Sequence, residues 1–153
     1  PRFTPVPGML LLDGIQDPGN LGTILRTADA LDVPVALLEG CADPYSHKVV
    51  RASMGAVFRM PVASLTWEAA QARFMQAGIP VAVTALSDRA VDIRSADLGT
   101  MAVVIGSEGQ GLTDETIAAC NSTVRIPMTD RVESLNAGIA GSILLWHFRE
   151  ESL

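Results

Sequence analysis

Polar side chains and glycines cluster in three separate stretches of this sequence. They are the turn and helix start from Asp17 to Arg26, the glycine-rich stretch from Gly106 to Leu112, and the stretch from Ile126 to Asn136. Each stretch follows a short apolar run that predicts a β-strand. Because open α/β sheets place ligands at the carboxyl ends of their strands, the three stretches are candidates for one shared binding or catalytic site.

The glycine spacing argues against several common nucleotide and hydrolase sites. The sequence contains no G-x-x-x-x-G-K-[ST] phosphate loop and no G-x-S-x-G nucleophile elbow. The stretch from Gly106 to Gly111 has the spacing G-x-x-G-x-G, whereas a dinucleotide site is expected to show G-x-G-x-x-G. Its glycines could still let the backbone approach a ligand closely.

Taken singly, the polar residues of the three stretches have ordinary structural interpretations. Asn20 is well placed to cap the helix that follows it. Arg26 could be a solvated helix residue that pairs with Asp29, three positions later. The remaining candidates are equally well explained as turn, capping or first-turn residues, and they are Glu108, Ser134 and Asn136.

The histidines and cysteines show no catalytic or metal-ligating pattern. His47 and His147 have no partner near them in the sequence, and an isolated histidine is usually structural. Cys41 and Cys120 lack a neighbouring Cys or His at metal-ligand spacing, so we expect packed, reduced thiols and no metal site. Reduced thiols are consistent with a cytoplasmic protein.

Apolar runs of strand length alternate with segments of helical period, which predicts an α/β domain. Strands are predicted at Met9–Leu12, Val35–Leu38, Arg59–Val62, Pro80–Thr84, Met101–Ile105 and Val124–Ile126. Helices are predicted at Asn20–Leu31, His47–Ser53, Leu65–Ala77, Thr113–Cys120 and Ser134–Arg149. Several of the strands lack alternation and are expected to be buried on both faces, as strands of a parallel sheet are.

The length and charge of the chain restrict its class. Its 153 residues suffice for one domain with a sizeable core, and its net charge is −6, from 11 Lys and Arg against 17 Asp and Glu. This acidity argues against binding nucleic acid through the overall electrostatic field, so an anionic partner must meet a local patch or another domain. No uncharged run is long enough for a membrane span, and no membrane association is expected.

The last predicted helix is apolar or small on nearly every side. Leu135, Ile139, Ile143 and Trp146 lie on one side, and glycines, alanines and leucines fill the others. Such a helix is buried on more than one side. We expect one side to pack on the sheet and another to meet a second subunit in a two-fold homodimer.

Taken together, the three stretches resemble the motifs of the SpoU/TrmH family of the SPOUT superfamily, which are S-adenosylmethionine-dependent RNA 2′-O-ribose methyltransferases. The matching segments are Asp17–Ala28, Val104–Leu112, and Ile126–Met128 continuing through Glu133–Asn136. The segment Lys48–Ala56 also looks like the ribosomal-RNA branch of the family. The likeness extends from about Leu11 to Phe148.

This resemblance implies a three-layer α/β fold with a parallel sheet and a C-terminal trefoil knot. It also implies a homodimer with S-adenosylmethionine held at the knot. The cofactor pocket would be lined by Gly106, Ile126, Met128 and Leu135. Residues 9–153 would form the catalytic domain, and the proline-rich residues 1–8 would be a linker from an upstream RNA-binding domain.

By the same resemblance, Arg26 would be the residue at the ribose 2′-hydroxyl. Because a guanidinium resists deprotonation, we expect it to stabilise the developing alkoxide and to clamp a phosphate, and no residue is assigned as the general base. Asn20, Glu108, Ser134 and Asn136 would hold the reactants in register. The resemblance favours rRNA over tRNA as the substrate. Local basic contacts to this RNA would come from Arg26, Lys48, Arg51 and Arg131.

Two alternatives share this fold. One is a tRNA methyltransferase of the same superfamily, including one that modifies a base. The other is a dimer that binds RNA or the cofactor without turnover.

Overall fold

A computed structural model describes residues 3–85, 89–106 and 114–150, and this part of the chain contains seven strands and five helices. The strands are β1 (Met9–Asp13), β2 (Val35–Leu37), β3 (Ala63–Ser64), β4 (Val81–Thr84), β5 (Val91–Asp92), β6 (Ala102–Gly106) and β7 (Ser122–Arg125). The helices are α1 (Pro18–Leu31), α2 (His47–Ala52), α3 (Trp67–Ala77), α4 (Asp114–Ala119) and α5 (Ala137–Arg149). Single 3₁₀ turns occur at Ala56–Phe58, Ile93–Ser95 and Leu98–Thr100.

The strands form one parallel sheet in the order β3-β2-β1-β6-β4-β7-β5. From β1 the chain adds β2 and then β3 on one side. On the other side, β6 lies between β1 and the earlier strand β4, and β7 lies between β4 and β5. The register aligns the last residues of the two central strands, Asp13 of β1 and Gly106 of β6. The predicted α/β class with a parallel sheet is therefore confirmed.

Side chains on the two faces of the sheet enter two separate cores. In β1, Leu10 and Leu12 join the core built with α1, α2 and α5, whereas Met9 and Leu11 join the core built with α3. The alternation follows from the period of two along a strand. Apolar residues at every position of β1 are thus explained by helices on both faces.

The segment that precedes β1 packs on the second of these cores. The ring of Phe3 meets the buried ring of Phe74 edge to face, with centroids 5.7 Å apart. The backbone N–H of Gly8 donates to the carbonyl of Met101 at 2.9 Å. These contacts attach residues 3–8 to the domain.

The structure corrects the strand that was predicted at Arg59–Val62. This segment follows the 3₁₀ turn at Ala56–Phe58, and the neighbour of β2 is instead the short strand β3. Arg59 points to α1, where its guanidinium lies 2.8 Å from the Asp29 carboxylate. The predicted pairing of Asp29 with Arg26 is therefore wrong, because Asp29 is engaged by Arg59.

Helices α2 and α5 both pack on helix α1, and a glycine at each contact allows the close distance between the helices. A Cβ at Gly22 would lie 2.3 Å from the Cβ of Ala52 and 2.9 Å from the backbone nitrogen of Ser53. A Cβ at Gly141 of α5 would lie 2.9 Å from Ile24. The α1 backbone at Gly22 therefore packs directly on the end of α2, and the α5 backbone at Gly141 packs on the Ile24 side chain, which fixes α2 and α5 relative to α1.

None of the described helices combines the length and the apolar composition needed to cross a bilayer.

Candidate active site

The strands that precede the three sequence stretches end at one edge of the sheet. β1 ends at Asp13, β6 ends at Gly106, and β7 ends at Arg125. Since all of these strands are parallel, the segments that follow them emerge at the same, carboxyl edge. This is the edge at which doubly wound sheets place ligands. The shared location of the three stretches stays a prediction, because the second stretch lies outside the described residues beyond Gly106.

The first stretch is organised by Asp17, not by Asn20 as predicted. The Asp17 carboxylate accepts a hydrogen bond from the Asn20 backbone N–H at 3.0 Å and is the N-cap of α1. Pro18 opens the helix, where its lack of an N–H has no cost. Asn20 lies in the first turn, so its side-chain amide is not used as a cap.

The third stretch ends at the start of α5. The helix begins at Ala137, three residues later than the predicted Ser134, because Asn136 is the N-cap. The Asn136 side-chain oxygen accepts from the Ile139 backbone N–H at 3.2 Å. Ser134 lies before the helix and is exposed.

Gly138 brings the first and third stretches together. A Cβ at this position would lie 3.1 Å from the side-chain oxygen of Asn20 and 3.1 Å from that of Asn136. The two asparagine side chains therefore flank one point on the backbone of α5. Sequence analysis placed both asparagines in the site but did not identify Gly138 as the residue that lets them meet.

Contacts continue along α1 and α5, which run side by side in the same direction. The hydroxyls of Thr27 and Ser142 lie 3.2 Å apart. At the far end, Arg149 donates to the carbonyls of Leu31 and Asp32, at 3.2 and 2.6 Å. The position of the Asn20–Asn136 pair is thus fixed by the whole length of the helix pair.

Arg26 lies in a different place from the two asparagines. It is exposed, and it lines an open groove of about 500 Å³ together with Ala52 of α2 and Trp146 of α5. Arg26 follows Asn20 by six residues, which on an α-helix is about 9 Å along the axis and about 120° around it. Among the described residues, Arg26 makes no hydrogen bond or ion pair, so a single subunit does not join Arg26 to Asn20 and Asn136.

The residues predicted to line a cofactor pocket lie at the same carboxyl edge. Gly106 ends β6, and Ile126 and Met128 follow β7 directly. Gly106, Ile126, Met128 and Leu135 are all half-buried, and Ile126 packs against the core on the α1 side. Glu108 and the other glycines of its loop lie outside the described residues.

Sequence analysis did not identify a pair of neighbouring carboxylates at this edge, Asp13 and Glu39. Burial raises the pKa of the half-buried Asp13 carboxyl, and the neighbouring Glu39 carboxylate raises it further. Burial also raises the pKa of the Cys41 thiol, which donates to the Leu12 carbonyl at 3.3 Å. An acidic residue directly after a buried strand was the sequence signal for Asp13.

No group of three His, Cys, Asp or Glu side chains that could hold a metal ion occurs within the described ranges. Neither Cys41 nor Cys120 forms a disulfide, and both side chains are half-buried.

Comparison with known proteins identifies the family. The sequence model described as the SpoU rRNA Methylase family matches residues 7–146. The 23S rRNA (guanosine(2553)-2′-O)-methyltransferase RlmP of Bacillus subtilis is 33% identical over 142 residues, which are 92% of this chain and 57% of the relative.

Solved structures agree with this match. The AdoMet-bound rRNA methyltransferase from Sinorhizobium meliloti has a TM-score of 0.86 at 37% identity, covering 99% of this chain and 59% of that one. The SpoU methyltransferase AviRb from Streptomyces viridochromogenes, in complex with the cofactor AdoMet, has a TM-score of 0.79 at 31% identity, covering 94% and 59%. The chain thus spans less than two thirds of the length of these relatives. It belongs to the SpoU rRNA methylase family.

Proposed function

We propose that this chain is the catalytic domain of an S-adenosylmethionine-dependent methyltransferase that modifies a ribose 2′-hydroxyl of rRNA. The observation that carries the proposal is the meeting of Asn20 and Asn136 across Gly138, at the edge of the sheet where β6 and β7 also end. The family membership, the 2′-O-methyltransferase activity in the name of RlmP and the AdoMet bound to two similar structures support it.

The residues at the carboxyl edge fit the cofactor chemically. The half-buried apolar side chains of Ile126, Met128 and Leu135 offer a surface of low polarity, and Gly106 leaves the backbone accessible. When bound, S-adenosylmethionine supplies a methyl group on a positively charged sulfur. A pocket without a carboxylate against that sulfur suits the reaction, because the charge is lost in the transition state and ground-state stabilisation would slow it.

In this proposal, Arg26 stabilises the ribose 2′-oxygen, which is the nucleophile. A ribose hydroxyl is weakly acidic, and negative charge develops on its oxygen as the proton leaves. The Arg26 guanidinium stays protonated, stabilises that charge and binds the adjacent phosphate. The proton acceptor is left unassigned.

Asn20, Glu108, Ser134 and Asn136 complete the site as positioning groups. Asn20 and Asn136 are held by helix α1 and the start of α5, so their amides are preorganised for hydrogen bonds to substrate. Ser134 is exposed, two residues before Asn136. Glu108 is assigned from the resemblance of its loop to the second family motif.

A homodimer would supply the contacts to Arg26 that the described residues of one subunit do not provide. Ile139 and Trp146 of α5 each leave 52% of their surface exposed, and Trp146 lines the same groove as Arg26. A second copy that covers this face would bury both side chains and bring new groups to Arg26. The expected assembly is two-fold, with each site close to the subunit interface.

The dimer is tested by replacing Trp146. We expect Trp146→Glu to place a charge in the interface and to convert a dimer into a monomer, measured by light scattering at micromolar concentration. Met75→Glu, at an exposed position on α3, is the control and should leave the mass unchanged. A monomeric wild-type chain would contradict the assembly.

We also propose that the C-terminal segment forms the trefoil knot implied by the family resemblance, and that residues 9–153 are the catalytic domain. The enzyme is further proposed to work in the cytoplasm and without a metal ion. The RNA partner would be met by local basic side chains, since the chain is acidic overall. Unfolding and refolding rates measured on a circularised chain would test the knot.

The activity is tested by incubating the protein with labelled S-adenosylmethionine and unmodified total RNA. We expect label in rRNA, at a nucleotide whose phosphodiester resists alkaline cleavage because its 2′-oxygen is methylated. Label in tRNA would favour the tRNA alternative, and label on a base in nucleoside analysis would exclude ribose methylation. Cofactor or RNA binding without transfer would support the non-catalytic alternative.

A further inference from the structure

Two aromatic rings lie together on the surface, outside both cores. The centroids of Tyr45 and Phe58 are 6.3 Å apart, with an angle of 34° between the ring planes. Phe58 is 70% exposed and Tyr45 is 55% exposed, and Met54, four residues before Phe58, is 63% exposed. Exposed apolar side chains that cluster in this way indicate a binding surface.

The local backbone holds the two rings in place. The Tyr45 N–H donates to the Asp43 carboxylate at 2.9 Å, and the Phe58 N–H donates to the Gly55 carbonyl at 3.1 Å. Met54 and Gly55 both have positive φ, which reverses the chain after α2 and returns Phe58 towards Tyr45. The pair is therefore preorganised, and little ordering entropy is lost when it binds a ligand.

The segment of the chain that contains both rings is basic, in contrast to the chain as a whole. Lys48 and Arg51 are three residues apart on the exposed face of α2. The sequence has no acidic residue between Asp43 and Glu68, although the net charge of the chain is −6. An anionic ligand with flat apolar groups fits this surface better than a neutral or cationic one.

The surface is fixed to the helix that carries Arg26. Ala52 of α2 lies against Gly22 of α1, and it lines the groove that contains Arg26. The Arg59 guanidinium, next to Phe58, lies 2.8 Å from the Asp29 carboxylate, which is one helical turn beyond Arg26. A strand held at Arg26 could thus extend onto this surface.

We propose that Tyr45 and Phe58 form a stacking platform for unpaired bases of the RNA that flank the methylated ribose, with Lys48 and Arg51 binding the phosphates. The proposal rests on the RNA methyltransferase function proposed above. Every base has a π face, so aromatic rings beside cationic side chains bind single-stranded nucleic acid with little sequence preference. Lys48 and Arg51, in a segment without acidic residues from position 44 to position 67, favour RNA over a second copy of this acidic chain as the occupant.

The test measures the binding of a short fluorescein-labelled single-stranded RNA and of an abasic strand with the same backbone. Phe58→Leu keeps an apolar side chain but removes the ring, and we expect it to weaken binding of the base-containing strand on the order of fivefold to a hundredfold. Binding of the abasic strand should be unchanged. Phe58→Trp should restore affinity, and Lys48→Ala should weaken both strands and lower the salt dependence.

Controls separate this proposal from the proposed function. Met75→Ala removes an exposed apolar side chain from α3 and should alter neither binding nor turnover. If the wild-type chain transfers methyl groups but Phe58→Leu binds RNA as tightly as wild type, the proposed stacking platform is wrong and the proposed methyltransferase activity stands. If the wild-type chain binds the strand through Phe58 but transfers no methyl group, the proposed activity fails and the platform stands.

Two further results would overturn the platform. One is a wild-type chain that does not bind single-stranded RNA. The other is a change of mass in sedimentation for Phe58→Leu, which would assign the surface to contacts between copies of the chain.

Discussion

The side-chain oxygen of Asn20 lies 3.1 Å from the point that a Cβ on Gly138 would occupy. The Asn136 oxygen lies at the same distance on another side of that point, and the Cα of Asn20 is 3.4 Å away. Gly138 is therefore a spacer between two polar residues that are more than one hundred positions apart in the sequence. The first turn of α1 and the first turn of α5 approach each other this closely because this position has no side chain.

Gly138→Ala is expected to reduce methyl transfer strongly and stability only modestly. The added methyl group pushes both amide oxygens aside by a few tenths of an ångström, which moves the groups that position the substrate. Overpacking of this kind costs about 1–3 kcal/mol in the free energy of unfolding. Turnover with labelled cofactor and urea unfolding measure the two effects.

Gly99→Ala is the matched control for this substitution. Its Cβ would meet nothing nearer than the Asp97 side chain at 3.8 Å, an ordinary van der Waals distance. Full turnover in Gly138→Ala would show that the two amides need not stay where the structure places them.

Arg26→Ala is expected to abolish methyl transfer while the affinity for S-adenosylmethionine, measured by calorimetry, stays near that of wild type. Removal of a group that stabilises a developing oxyanion lowers kcat by about 10²–10³-fold. Arg26→Lys should also fail, because a point charge cannot replace the planar contacts of a guanidinium. Arg73→Ala, at an exposed arginine on α3, serves as control.

Retained turnover in Arg26→Ala would remove this residue from the reaction. A variant that instead loses cofactor binding would place Arg26 in the cofactor pocket.

The contrast between Arg26 and Gly138 shows what the sequence could and could not predict. The long apolar runs predicted the five longer strands, because both faces of the sheet are covered. Strands β3 and β5 have only two residues each, too few to show a period. The motifs assigned Arg26, Asn20 and Asn136 to one candidate site, but helix geometry separates Arg26 from Asn20 within one subunit. The approach of Asn20 and Asn136 at Gly138 depends on the packing of α5 on α1, which the sequence does not show.

The ion-pair partner of Asp29 also could not be predicted from the sequence. Spacing predicted that Arg26 pairs with Asp29, yet Asp29 binds Arg59, thirty residues further along the chain. An i,i+3 pair on an exposed helix is worth only about 0.2–0.5 kcal/mol, so a well-placed tertiary partner displaces it easily. In the same way, Asp17 replaced Asn20 as the cap of α1, because a cap depends on where the helix begins.

Asn136 is expected to have two separable roles. Asn136→Ala removes the N-cap of α5 and should lower the free energy of unfolding by about 1 kcal/mol, measured by urea titration. Asn136→Ser keeps a capping oxygen and should restore the stability. If the amide also positions substrate, the Ser variant remains slow in methyl transfer although it is stable.

The comparison of the two Asn136 variants decides the role of this residue. Complete recovery of turnover in Asn136→Ser would show that Asn136 only caps the helix.

Asp13 should make the folded chain less stable as the pH rises. Burial, with a further contribution from Glu39, raises the pKa of the Asp13 carboxyl above its ordinary value of 3.8. The folded chain therefore holds this proton more tightly than the unfolded chain does, so stability is lost as the pH rises from 3.8 through the raised pKa. Asp13→Asn removes the charge and should be more stable than wild type at neutral pH.

Urea unfolding between pH 3 and pH 8 tests this prediction. The advantage of Asp13→Asn should shrink as the pH falls, because wild-type Asp13 is protonated in both states at low pH. Asp130→Asn, at an exposed aspartate, is the control and should follow wild type across the range. An advantage that persisted unchanged at low pH would show that packing or hydrogen bonding of the amide, and not the buried charge, separates the two proteins.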